Sequence, residues 1–342
     1  MTEFHRLVVR EITRETPDAC SIVLEPPPGA AGEFEYSPGQ FLTLQLPTPG
    51  GAVGRCYSLC SSPHVDEPMR IAVKRVADGA ASNWLNESVQ VGDEIECLVP
   101  GGMFTPKSLD DDLLLFAGGS GITPVLSILK SALAAGSGRV VLVYANQHQD
   151  AVIFAAQLRE LAERYPERLH VIHWLESVQG LPSRAQLKAL AAPFTSYTSF
   201  VCGPSPFMES VSHSLRELGV PPARIHVEKF QSLAVNPFEA GDAVVLDAGD
   251  GSVAQLEVEL DGETHNYEWP TQTKLLDFLL DQGLKAPFSC RQGACSACAC
   301  IVSEGEVKMI NNEILEQDDL DEGFVLACQS LPVSDVVKIR YS

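Results

Sequence analysis

No stretch of this 342-residue sequence stays apolar for the roughly 20 residues that a membrane-spanning helix requires. The longest apolar runs, LLLFAGG at 113–119 and VVLVYA at 140–145, stop far short of that length. The first residues, MTEFHRLVVREI, carry charges where a secretion signal needs an unbroken apolar core, so a cytoplasmic location is expected. Basic residues are scarce as well: 24 Lys and Arg face 45 Asp and Glu, for a formal net charge of −21. That imbalance speaks against nucleic acid or an anionic membrane as partner, because both would be repelled. It is concentrated in residues 240–342, where 19 acidic side chains face 6 basic ones. Such a surplus is either a solvated face or a docking surface for a basic patch on a partner protein.

With 45% apolar and 20% charged residues the composition is globular, and the length predicts two or three domains. Over residues 4–107, short β-rich runs alternate with Pro and Gly turns: SIVLEPPPG, QFLTLQLPTPGG, MRIAVKRV and DEIECLVPGG. Strands so closely spaced predict an antiparallel β-barrel or sandwich, with one helix starting near Ser82 in GAASNWLNES. The pattern changes at Asp110, where DDDLLLFAGGSGITPVLSILKSALAAG reads as a buried strand, a glycine-rich turn and a helix ended by Gly136. VVLVYA, IFAAQLRELAERY, LHVIHW and TSFVCGPSPFMESVSHSLRELG repeat the alternation, which predicts an α/β parallel sheet with helices on both faces. A last unit carries the strands QLEVELDG and HNYEW, the helix TKLLDFLLDQG, a cysteine loop and a closing strand VVKIRY. The expected boundaries are a barrel over 1–107, an α/β domain over 108–232, a linker over 233–251 and a small α+β domain over 252–342.

Cysteine is used sparingly except at one place. Cys20, Cys56, Cys60, Cys97 and Cys202 are scattered singly and read as small buried hydrophobes. SCRQGACSACACIV, by contrast, holds four cysteines in eleven residues. In a reducing compartment such a cluster points to metal ligands rather than disulfides. Cys290, Cys295 and Cys298 form C-x4-C-x2-C, and Cys328 follows 30 positions later, the spacing of plant-type 2Fe-2S sites. Three thiolates from one wrapping loop and a fourth from a separate element suit a buried cluster. The small residues Gly293, Ala294, Ser296 and Ala297 let backbone N–H groups approach the sulfurs. Cys300, at the start of the strand ACIV, is assigned to packing. A structural zinc site is the competing reading, although zinc modules usually pair two C-x2-C knuckles and only one is present. The chain has no C-x-H or C-x2-H, which excludes a Rieske centre with its two His ligands within this chain.

A cluster that takes one electron at a time needs a supply upstream. RCYS at 55–58, read as the start of a barrel strand, offers a guanidinium for phosphate, an aromatic face and a hydroxyl, the groups that suit a flavin. AVKRV at 72–76 and GAAS at 79–82 add cations and a helix N-terminus where a pyrophosphate could sit. AGGSGITP at 117–124 lies between strand and helix and suits a dinucleotide phosphate, although it departs from G-x-G-x-x-G at Pro124. CGPSPFM at 202–208 repeats that strand-to-helix geometry.

In this order RxYS, GxxS, GGSGITP and CGPxPFM resemble the ferredoxin–NADP reductase superfamily over residues 4–230, and residues 252–342 resemble a plant-type 2Fe-2S ferredoxin of β-grasp fold. The resemblance implies FAD held by Arg55, Tyr57 and Ser58 with Lys74, Arg75, Gly79 and Ser82 around it, FMN being the alternative used by some relatives. It implies nicotinamide nucleotide at Gly119, Ser120, Gly121 and Thr123, with Cys202 and Gly203 near the ring. The segment NQHQD after the second parallel strand has no Lys or Arg to grip a 2′-phosphate, which favours NADH over NADPH. Reductase followed by ferredoxin is similar to the reductase components of multicomponent oxygenases. RCYSLCSSP, AASNWL and HWLESVQGLPS bring it nearest to those of 3-ketosteroid 9α-hydroxylase and phenylacetyl-CoA oxygenase. The implied function is electron transfer from NADH through FAD and the 2Fe-2S cluster to a terminal oxygenase of Rieske or di-iron type, with steroid degradation as its setting and no general acid or base. A redox-sensing iron–sulfur flavoprotein is the alternative of a different class.

Overall fold

Six antiparallel strands build the first sheet of the computed structural model, which describes residues 4–65, 68–233, 236–239 and 252–341. The strands are β1 (His5–Thr16), β2 (Ala19–Glu25), β3 (Phe41–Thr48), β4 (Gly51–Ser58), β5 (Met69–Lys74) and β6 (Glu94–Gly101), in the order β4-β3-β6-β1-β2-β5. A bridge from Leu59, just past β4, to Ile71 of β5 joins the two edges and closes the sheet into a barrel. Helix α1 (Ala80–Glu87) adds Ala81 and Leu85 to a barrel core that contains Leu7, Ile22, Leu42 and Leu44. The strand that carries RCYS starts at the Gly51 turn and pairs with β3 as a hairpin. Arg55 to Ser58 therefore end that strand, where the sequence reading put them at its start.

The next five strands are all parallel: β7 (Leu113–Gly118), β8 (Val140–Asn146), β9 (Leu169–Leu175), β10 (Thr198–Cys202) and β11 (Ile225–Glu228). Their order is β11-β10-β7-β8-β9. β7 is central and buried at every position, which explains its unbroken LLLFAG. The crossovers contain α2 (Ile122–Ala135), α3 (Ala155–Arg164), α4 (Glu176–Gln179), α5 (Arg184–Ala191) and α6 (Ser205–Glu217). Helix α2 stops at Gly136 as the sequence indicates. Helices α4 and α5 are additions to that reading; α5 begins with a capping box between Ser183 and Gln186, a signal that PSRAQ carries.

Barrel and parallel sheet form one compact unit, Arg6–Pro100 with Phe104–Phe230. Ala19, Cys60, Ala72 and Phe104 belong to the same apolar cluster as Leu115, Ile128 and Leu142 of the α/β half. Phe104 packs edge-on against Phe200 with centroids 5.2 Å apart. A chain of buried hydroxyls crosses the junction: Ser127 Oγ donates to the Ser61 carbonyl at 2.6 Å, and Ser131 Oγ donates to the Ser127 carbonyl at 2.8 Å. With that proton committed, Ser131 accepts from Ser62 Oγ, also at 2.8 Å.

A second unit is built mainly from residue 231 onward, with His5 and Gly101–Met103 added to it. The expected linker lies largely outside the described residues. The sheet contains β12 (Val253–Leu260), β13 (Glu263–Pro270), β14 (Ala299–Glu304), β16 (Phe324–Leu326) and β18 (Val336–Arg340), in the order β13-β12-β18-β14-β16. β12 runs parallel to β18, and the other pairings are antiparallel. β15 (Val307–Met309) pairs with β17 (Ser330–Pro332), and α7 (Leu275–Asp281) and α8 (Gln317–Asp321) complete the unit. Trp269 is fully buried and donates its indole N–H to the Thr273 carbonyl at 2.7 Å, which anchors the turn into α7. No helix among the described residues is long and apolar enough to cross a membrane.

The serine chain yields a stability prediction. Ser127→Ala strands the buried Ser61 carbonyl and should cost about 1–3 kcal/mol in the unfolding free energy of the first unit, measured by urea titration.

Candidate functional site

The parallel sheet reverses its direction of growth at β7: β8 and β9 follow on one side, and β10 and β11 return on the other. Ligands of such sheets bind at that switch point, beyond the carboxyl ends of the strands. Glycines dominate it here. A Cβ on Gly121 would lie 2.2 Å from the Cys202 carbonyl oxygen, and one on Gly203 would lie 3.0 Å from Gly118 Cα. The two strand ends are thus in backbone contact that no side chain could enter. Gly119, with φ of +54°, has the opposite character: an added Cβ there meets nothing within 4 Å. One glycine of the turn faces protein and the other faces open space, as a phosphate cradle needs.

Tyr144 holds the turn by donating its hydroxyl to the Gly119 carbonyl at 3.0 Å, and Thr123 Oγ1 donates to the Ser120 carbonyl at 3.1 Å. The structure thus brings Gly119, Ser120, Gly121, Thr123, Cys202 and Gly203 to one place. Cys202 has no accessible surface, and burial pushes its thiol well above the ordinary range. Opposite it in the β10–β11 register stands Glu228, which sequence reasoning did not single out. Burial pushes its carboxyl up to about 8.

β5, which ends at Lys74, approaches the Gly119–Gly121 turn. Arg55, Tyr57 and Ser58 lie at the end of β4. Arg55 donates to the Gly54 carbonyl at 2.7 Å and has no carboxylate partner among the described residues, so it is available to a phosphate. Lys74 faces Asp18 at 3.6 Å, and Arg75 is paired with Glu87. Burial pushes the Tyr57 phenol far above its usual range, although the Arg55 charge works against this, so the ring stays neutral. Gly79 caps α1. Ser82 Oγ accepts from the Val76 N–H and donates to the Gly79 carbonyl, both at 3.1 Å. Its hydroxyl therefore shapes the loop and is already committed.

In the second unit the loop over 290–298 coils tightly. Arg291, Gly293 and Ser296 all have positive φ, unusual for the two that are not glycine. Such strain persists only where the surroundings impose it. Gln329 Nε2 donates to the Arg291 carbonyl at 2.9 Å, Asn311 Nδ2 to the Gln292 carbonyl at 2.8 Å, and Arg291 pairs with Asp277 at 3.3 Å. These tethers come from outside the motif, and the spacing of the cysteines gave no sign of them.

Backbone N–H groups converge on the sulfurs of the four cysteines. The Cys290 N–H points at Cys295 Sγ at 3.3 Å, and the Cys328 N–H at Cys298 Sγ at 3.5 Å. Gln292 and Ala294 N–H groups both reach Cys290 Sγ at 3.3 Å. Contact with Cys295, then Cys328, holds the Cys290 thiol far below its ordinary range, whereas Cys328, pressed by Cys290 and Cys298, is pushed far above it. Among the described residues no three His, Cys, Asp or Glu side chains are arranged around a single ion. Four thiols brought together with N–H donors around them fit a two-iron cluster, which Cys290, Cys295, Cys298 and Cys328 would hold. Cys295 is the partly accessible member of the four. Cys300 lies in β14 opposite Val325, buried, and burial drives its thiol far upward.

Comparison with known proteins agrees with this geometry. Residues 7–105 match the oxidoreductase FAD-binding domain, 115–213 the oxidoreductase NAD-binding domain and 258–333 the 2Fe-2S iron-sulfur cluster binding domain. The molecule is an iron–sulfur flavoprotein oxidoreductase that uses FAD, NADH and a 2Fe-2S cluster. It is 51% identical over 98% of its length to the ferredoxin reductase component of 3-ketosteroid-9-alpha-monooxygenase from Rhodococcus rhodochrous, covering 96% of that protein. It is 33% identical to a component of the 1,2-phenylacetyl-CoA epoxidase from Escherichia coli strain K12, over 98% of each chain. The chain belongs to this family of oxygenase reductase components. Phthalate dioxygenase reductase shares the fold at a TM-score of 0.56 and 22% identity, over 99% of this chain and 98% of that one.

Two outcomes follow. Replacing Cys290, Cys295, Cys298 or Cys328 by Ser should abolish the visible absorbance and reduced-state paramagnetic signal of the cluster, while Cys300→Ser should keep both. For Glu228, an unfolded carboxyl titrates near 4.5 and the folded one near 8, so the native state holds an extra proton between them. Its stabilising contribution is complete below about 4.5 and is lost as pH rises through about 8. Denaturant midpoints of the first unit should fall between pH 5 and 8, and Glu228→Gln should flatten that slope.

Proposed function

We propose that this chain is the reductase component of a 3-ketosteroid 9α-monooxygenase, delivering electrons from NADH to the terminal oxygenase component. The observation that carries the reading is the match at 51% identity along nearly the whole chain, cysteine loop included. A terminal oxygenase is the partner of such components; we assign it to the Rieske or di-iron type, working with this chain in the cytosol of a steroid-degrading cell. The boundaries 1–107, 108–232, 233–251 and 252–342 and the site residues named above form part of the same proposal.

Bound FAD would supply acceptance of a hydride from NADH and release of single electrons, and the 2Fe-2S cluster would supply one-electron transfer. The protein's task is positioning. Gly119 leaves room for phosphate oxygens, and the backbone contact of Gly118, Gly121, Cys202 and Gly203 fixes the floor on which the nicotinamide lies. Arg55 would hold the flavin phosphates, and Tyr57 and Ser58 would hold the ring. Lys74, Arg75, Gly79 and Ser82 shape the surrounding loop. In the second unit the N–H groups directed at Cys290, Cys295 and Cys298 favour electron-rich sulfurs and so set the potential. Cys295, the accessible thiolate, marks the edge through which electrons leave. No side chain need act as general acid or base.

The acidic surplus of residues 240–342 gives this part of the chain a charge suited to a basic oxygenase surface. Mixed with the ketosteroid oxygenase component, the protein should support NADH-dependent 9α-hydroxylation. Raising salt should slow that turnover while leaving NADH-driven dye reduction unchanged, because screening acts on the encounter of the two proteins. Equal salt effects in both assays would remove the docking role from the acidic face, and absence of hydroxylation would overturn the assignment of the oxygenase.

A further inference from the structure

One buried hydroxyl in the second unit fills a place where a phenyl ring would pack as well. Tyr341 follows β18, and its N–H donates to the Glu259 carbonyl of β12 at 2.9 Å. It continues the alternation of Val337 and Ile339, both buried, so its ring lies on the core face of the sheet. The register that pairs Ile301 with Arg340 puts Cys300 opposite Tyr341 one step further on. The Tyr341 hydroxyl is enclosed and makes no hydrogen bond of full geometry among the described residues. The group lying against it is the Cys300 thiol, and Cys298 and Cys328 are close enough to act on it electrostatically. Burying a hydroxyl without an oxygen or nitrogen acceptor works against folding, and phenylalanine in this place would avoid that cost. What the oxygen faces is the side of the cysteine loop where the Cys328 N–H meets Cys298 Sγ.

We infer that Tyr341 is a positioning residue for the cluster, its hydroxyl acting through the Cys300 thiol to raise the reduction potential. The inference rests on the assignment of Cys290, Cys295, Cys298 and Cys328 as the ligands. Reduction adds one electron, and the sulfurs share the added negative charge. A dipole with its hydrogen end toward them therefore stabilises the reduced form more than the oxidised one. A phenol keeps its proton at neutral pH, and a thiol both accepts and donates weakly. In line, O–H to Cys300 and S–H onward to Cys298, the two groups polarise each other. The remaining donors to these sulfurs are mainly backbone N–H groups, fixed by the course of the loop. Tyr341 stands outside that loop, so its hydroxyl adjusts the potential without altering the coil that holds the sulfurs. Cys300 keeps its packing place in β14 and gains a second task there.

The test is potentiometric titration of the purified holoprotein, with the reduced cluster followed by its paramagnetic signal. Tyr341→Phe should keep the full iron content and visible absorbance. It should shift the reduction equilibrium of the cluster about tenfold toward the oxidised form, the order of one hydrogen bond to a charged group. For a one-electron couple that is about 59 mV toward more negative potential. The flavin midpoint and the KM for NADH should stay unchanged. Cys300→Ala should shift the cluster in the same direction, and adding Tyr341→Phe to it should change little, because the hydroxyl acts through the thiol. An unshifted or more positive potential in a fully loaded Tyr341→Phe protein would overturn the inference. So would loss of the cluster from that variant, the mark of a purely structural hydroxyl. A full tenfold shift by Tyr341→Phe in the Cys300→Ala background would overturn the path through the thiol. A cluster that survives Cys298→Ser would instead overturn the ligand assignment on which the inference rests.

Discussion

The arrangement of the first unit depends on one close approach, the contact of Gly121 with the backbone of Cys202 and Gly203 where β7 and β10 end side by side. Because no Cβ fits there, the strand ends close on each other and the turn that follows β7 is pressed outward with Gly119 at its open side. Everything placed around the nucleotide follows from that. Tyr144 reaches the turn from β8, β5 approaches it from the barrel, and Glu228 stands half-buried across from Cys202. A larger residue at Gly121 would therefore displace several elements together, and not a single loop.

The cysteine loop meets the opposite problem. It must hold its backbone in conformations that L residues resist, with Arg291 and Ser296 at positive φ, so that N–H groups converge inward on sulfur. The restraint comes from distant side chains: Gln329 beside the fourth cysteine, Asn311 from the loop after β15 and Asp277 from α7.

Much of this was legible in the chain wherever a local signal sufficed. LLLFAG announces a strand buried on both faces, the glycine after α2 announces its end, and C-x4-C-x2-C fixes which sulfurs share a loop. Helices α4 and α5 escape a sequence reading because HWLESVQGLPSRAQLKALA mixes a short edge strand, a glycine turn and two brief helices, none long enough to show a period. RCYS reads as the wrong end of its strand because the residues before it, GAVG, have little strand character of their own and are held extended by pairing with β3. The commitment of Ser82 to its own loop and the shifted carboxyl of Glu228 were beyond reach, since each arises from what the fold brings around the residue.

The serine chain and shared apolar cluster at the barrel–sheet junction bear on how this protein could be divided or recombined. Ala19, Cys60, Ala72 and Phe104 pack into the core of the α/β half, and Ser61, Ser62, Ser127 and Ser131 bond across the seam without contact with solvent. A chain cut near residue 107 would expose apolar surface and orphaned hydroxyls on both fragments, the conditions for aggregation. The two sequence-defined domains of this unit are therefore a single heritable module. Recombination between relatives can exchange the iron–sulfur part as a block, but the flavin and nucleotide halves must travel together.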